Sequence, residues 1–109
     1  MNLNYKTLGE GKPLIILHGL FGSLDNWLTI AKELADHYKV YLVDQRNHGL
    51  SPHSDEFNYD VMGEDLKEFI ETHEIDKPYI LGHSMGGKTA MKFALKNGDL
   101  WEKLIVVDI

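Results

Sequence analysis

The apolar positions of the chain fall into short unbroken runs separated by amphipathic stretches. Leu14–Leu17, Val40–Val43, Tyr79–Leu81 and Leu104–Val107 are uncharged and rich in Ile, Leu and Val, as strands buried on both faces of a parallel sheet are. Between them the period becomes helical. Leu24–Ala35 sets Leu24, Trp27, Leu28, Ala31, Leu34 and Ala35 on one side, and Tyr59–Glu71 does so with Val61, Met62, Leu66, Phe69 and Ile70. Asp65 sits toward the apolar side of the second pattern, out of keeping with an amphipathic helix. A third helix is predicted over Gly86–Lys96, stopped by Asn97-Gly98, a common C-terminal signal. Residues 3–8 suit an antiparallel edge strand, and the longest loop-like segment runs from Asp44 to Asn58.

Alternating strands and helices predict a doubly wound, mostly parallel α/β sheet with right-handed crossovers. Sites in such sheets form at the carboxyl ends of the strands. The segments to search are therefore His18–Ser23, Asp44–Ser51, Gly82–Gly87 and Asp108.

Composition narrows the function classes. A chain of 109 residues suits one domain. Its net charge of −6, with 11 scattered Lys and Arg, lacks the basic stripe of a nucleic-acid binder. No cysteine is present, which removes thiolate nucleophiles, thiolate metal sites and disulfides and fits a reducing compartment. The first residues, MNLNYKTLGEGK, contain no apolar leader, and no run is long enough to span a bilayer. The expectation is a cytoplasmic protein with no nucleic-acid or membrane partner, no metal and no cofactor.

Gly82-His83-Ser84-Met85-Gly86 follows a strand and opens a helix, the context of a nucleophile elbow. Small flanking residues permit a tight, strained turn that exposes the serine hydroxyl at a helix N-terminus, where developing negative charge is favoured. His18-Gly19-Leu20-Phe21-Gly22-Ser23 ends an earlier strand. It reads either as a glycine turn with Ser23 as helix N-cap or as an oxyanion loop, the amide of Leu20 joining that of Met85 if the two strands are neighbours. In the third segment, Asp44 and Arg46 pair or hydrogen-bond the loop, and His48 has the form of a base but reads better as part of a structural turn. Asp108 ends the last strand, where a carboxylate can orient a histidine.

Taken together, LHGLFGS, DQRNHGLS, GHSMGGKTA and VVDI resemble the α/β-hydrolase superfamily, most closely its YbfF-type esterases and their mitochondrial abhydrolase relatives. The resemblance covers the whole chain. It implies Ser84 as nucleophile, the amides of Leu20 and Met85 as oxyanion hole, and Asp108 as the triad acid, which in this branch follows the sixth sheet strand. Small acyl esters or thioesters are the implied substrates, hydrolysed without a cofactor through an acyl-enzyme on the serine.

By the same resemblance, residues 1–109 form a partial α/β-hydrolase domain ending at the sixth strand. None of the six histidines occupies the family's position for the general base, which lies after the last strand. The last strand of this chain is then expected to pair with a C-terminal fragment or with a second copy. Two other readings compete: a non-catalytic binding or assembly module that keeps the half-sheet, and another cofactor-free chemistry of the fold, such as that of carbon–carbon hydrolases, lyases or haloperoxidases. A substitute base, His18 or His48, would have to lie within hydrogen-bond reach of Ser84.

Overall fold

A computed structural model describes residues 1–107. Its strands are β1 (Tyr5–Leu8), β2 (Lys12–Leu17), β3 (Tyr38–Val43), β4 (Tyr79–His83) and β5 (Lys103–Val107). Three helices connect them, α1 (Leu28–Leu34), α2 (Tyr59–Thr72) and α3 (Met85–Lys96). The sheet order is β1-β3-β2-β4-β5, with β1 antiparallel to β3 and every other pairing parallel. This is the doubly wound arrangement with an antiparallel edge that the sequence pattern predicts.

Alternation along the strands divides the core in two. Leu14, Ile16, Val40 and Leu42 pack with Leu24 and Ala31 on the α1 side. Ile15, Leu17, Val43 and Ile80 face the other way, against Leu66, Phe69 and Ile70 of α2 and Ala90 and Phe93 of α3. Both faces are covered, which is why the runs Leu14–Leu17 and Val40–Val43 within these strands carry no charge. Each such Leu, Ile, Val or Phe side chain, fully buried, contributes about 1.5–3 kcal/mol relative to exposure.

The first helix departs from expectation. Leu24–Trp27 is a 3-10 turn, and the α-helix begins only at Leu28. Side-chain acceptors from outside the helical ladder tighten this entry: Asp44 Oδ1 takes the Leu24 N–H at 2.7 Å, and Asn26 Oδ1 takes the Ser23 N–H at 2.9 Å. The misplaced Asp65 of α2 also finds its reason. Arg46 donates to it twice, Nε to Oδ2 at 2.7 Å and Nη2 to Oδ1 at 2.9 Å, a bidentate pair buried at both ends. No helix of the described residues is long and apolar enough to cross a membrane.

Candidate active site

Parallel pairing sets the carboxyl ends of the central strands side by side: Leu17 pairs with both Val43 and Gly82, and His83 pairs with Val107. Ser84 leaves β4 at φ 52° and ψ −113° and is the N-cap of α3. Backbone of this kind costs a non-glycine residue about 1–3 kcal/mol and persists only when its surroundings enforce it. Here close packing enforces it. A Cβ on Gly82 would lie 2.4 Å from the Gly86 carbonyl oxygen, and one on Gly86 would lie 2.3 Å from that of Leu17. The helix start therefore rests directly on two strands.

The Ser84 N–H is committed to the Val107 carbonyl at 3.1 Å, while the Ser84 carbonyl accepts from Lys88 at 3.1 Å. Among the described residues the next amide, that of Met85, has no hydrogen-bond acceptor. It stands at the positive end of α3.

The loop after β2 touches this elbow. A Cβ on Gly19 would fall 3.4 Å from the Ser84 Cβ and 3.0 Å from His83 Nδ1. Gly19–Gly22 forms a turn closed by Gly22 N–H to Gly19 O at 3.0 Å. Phe21, its third residue, has φ 62°, the positive value a type II turn requires there. Leu20 stands at the second position, and among the described residues its amide also lacks an acceptor. An open cleft of about 250 Å³ adjoins the turn, lined by Gly19, Leu20, Gly22, Asn26, Trp27 and His83.

The two histidines weighed as substitute bases are both occupied by backbone. His18 Nδ1 lies 2.8 Å from Gly19 O, and its Nε2 accepts the Gln45 N–H at 3.0 Å. His48 Nδ1 lies 2.9 Å from Arg46 O, and its Nε2 accepts the Phe21 N–H at 3.2 Å. Burial pushes the His18 imidazole below its ordinary range, and the neighbouring His48 acts in the same direction. Neither ring offers a free nitrogen to a serine proton.

Asp44 is the hub of the third strand end. Its carboxylate accepts from the amides of Leu24 and Leu50 and from Asn4 Nδ2, at 2.7, 3.0 and 2.9 Å. Burial alone raises its pKa, but these hydrogen bonds outweigh burial and hold the carboxyl below the usual range. Arg46 turns to Asp65 and the Glu56 carbonyl, so of the two arrangements open to Asp44 and Arg46 the structure has the loop-bonding one. Asp108 lies outside the described residues. Among the described residues no group of His, Asp or Glu side chains is arranged to hold a metal ion.

The sequence pattern of the alpha/beta hydrolase fold family matches residues 12–109. The chain belongs to that family. As an α/β hydrolase it is 50% identical to a Saccharomyces cerevisiae protein named "Probable alcohol acetyltransferase", over 94% of this chain and 32% of the relative. It is 43% identical to the Escherichia coli "Esterase YbfF", over 92% of this chain and 39% of the relative. A solved structure described as "Marine microorganism esterase" superposes with a TM-score of 0.94 at 57% identity, covering 95% of this chain and 40% of that one. The chain thus spans about a third to two fifths of the length of these α/β hydrolases.

Proposed function

We propose that Ser84 is the nucleophile of a serine hydrolase acting on small carboxylic esters or thioesters. One observation carries this reading: a serine held in left-handed backbone between a buried strand and a helix, with the Gly19–Gly22 turn against it. Its hydroxyl attacks the acyl carbonyl, and the oxyanion that forms accepts hydrogen bonds from the amides of Leu20 and Met85. The alcohol or thiol leaves, and water releases the acid from the acyl-enzyme. In this reading Asp108 orients the base, a histidine outside residues 1–109, because both nitrogens of His18 and His48 are engaged elsewhere. The name of the yeast relative favours a second outcome for the same intermediate, transfer of the acyl group to an alcohol instead of water.

Strand β5 pairs with β4 on one side only among the described residues, and Ile105 is exposed. We assign this edge to the remaining length of the fold, or to a second copy when that is missing. The test is labelling by a fluorophosphonate, with the chain alone and mixed with a C-terminal piece from one of its esterase relatives. Labelling that rises on mixing and vanishes in Ser84→Ala is expected. Equal labelling of the Ser84→Ala chain would leave the non-catalytic module as the better reading.

A further inference from the structure

Phe21 is a non-glycine residue in left-handed backbone that is 92% exposed. No apolar packing offsets the cost of that conformation. The restraint comes from hydrogen bonds. The peptide joining Leu20 to Phe21 is the central one of the turn, and flipping it converts a type II turn into type I, with Phe21 at negative φ. His48 Nε2 accepts the N–H of this peptide and so holds it in the type II orientation. The peptide joining Gly19 to Leu20 carries the Leu20 N–H, and its carbonyl accepts from His18 Nδ1 and from the Gly22 amide.

Tautomers follow from the donors. A backbone N–H can only donate, so Nε2 of each ring must be unprotonated: for His18 facing the Gln45 amide and for His48 facing the Phe21 amide. Each Nδ1 then carries the proton and gives it to a carbonyl. The two rings are buried and packed together with centroids 5.1 Å apart, and Phe57 flanks His48 at 6.0 Å. These contacts leave the rings little room to turn.

We infer that His48, with His18 behind it, is a positioning residue for the turn that presents the Leu20 amide. It selects the turn type and takes no proton from substrate. The inference rests on the reading of Leu20 as an oxyanion donor, but the conformation it assigns is measurable without any catalysis.

The first measurement is long-range proton–nitrogen NMR on the histidine-labelled chain, which reads the tautomers directly. Both His18 and His48 are expected as Nδ1–H, and an Nε2–H pattern for His48 would overturn the inference. The second is hydrogen exchange at the Phe21 amide. In His48→Phe, which keeps the ring and removes the acceptor, exchange should quicken about five- to tenfold with the amides of β3 unchanged; His48→Gln, which returns an oxygen near the Nε2 position, should restore protection. Unchanged exchange in His48→Phe would sink the idea. Where the unaltered chain labels at Ser84, His48→Phe should slow labelling by about tenfold and His48→Gln should recover most of it; a loosened turn with full labelling would remove the positioning role. A chain that fails to label counts against the serine reading alone, and the tautomer and exchange results still decide the role of His48.

Discussion

Two non-glycine residues of the site stand in left-handed backbone, Ser84 at φ 52° and Phe21 at φ 62°, and they differ in what holds them. Ser84 is clamped sterically. The carbonyls of Leu17 and Gly86 sit where any side chain on Gly86 or Gly82 would have to go, and the backbone bonds of Ser84 to Val107 and Lys88 add to that packing. Phe21 has open solvent around its ring and depends on acceptors supplied by His48 and by its own turn. Steric clamping resists pH and solvent, whereas a hydrogen-bonded turn can be loosened by removing one acceptor. Rigidity at Ser84 and adjustable restraint at the Gly19–Gly22 turn are thus separate properties of neighbouring loops.

The largest expected effect is on the steric side. Gly86→Ala places a methyl 2.3 Å from the Leu17 carbonyl oxygen and 2.7 Å from that of His18, and backbone cannot yield as a flexible side chain would. A loss of about 3 kcal/mol or more is expected in urea unfolding. A loss under about 1 kcal/mol would mean the elbow is looser than its contacts imply, and the contrast with Phe21 would fail.

Next comes the hydrogen-bonded side. Asp44→Asn keeps the shape but sets an NH2 group against at least one of the three donors that converge on the carboxylate, for an expected cost of about 2 kcal/mol at neutral pH. The sign of its pH dependence is fixed by the lowered native pKa. The stabilisation is present above the ordinary carboxylate value of about 4 and is lost as the pH falls through the lower native value. The gap between the two proteins should therefore narrow only in that acid range. A gap constant from pH 7 to pH 2 would show that the charge on Asp44 is not what holds the loop.

The same division decides what is legible in the sequence. The strands, the antiparallel edge and two of the three helices follow from local pattern, because period and burial are local properties. The elbow is legible as well, since its steric demands leave small residues at fixed spacing around Ser84. The Gly19–Gly22 turn is less so. Its restraints come from His48, 27 residues from Phe21, and from Asp44, 20 residues from Leu24, and no periodicity links them. One trace did exist. Asp65 on the apolar side of α2 signals a buried cation, and that cation is Arg46, which braces the segment carrying His48.

The smallest expected effect tests the strain itself. Phe21→Gly removes a ring that is almost fully exposed and so forfeits little burial, and it relieves a backbone conformation that glycine adopts freely. Glycine also gives the unfolded chain more freedom, which offsets part of the gain. The net expectation is stabilisation by about 0.5–1 kcal/mol, read from the urea midpoint at unchanged slope. The turn should keep its His48 bond, because the N–H it uses survives the substitution. A clear destabilisation would mean that the Phe21 ring is held against the surface in solution, and the contrast with Ser84 would then lie between two packed turns. Stabilisation with slower labelling of Ser84 would point the other way, to a ring kept for what it contacts in the substrate at some cost to the fold.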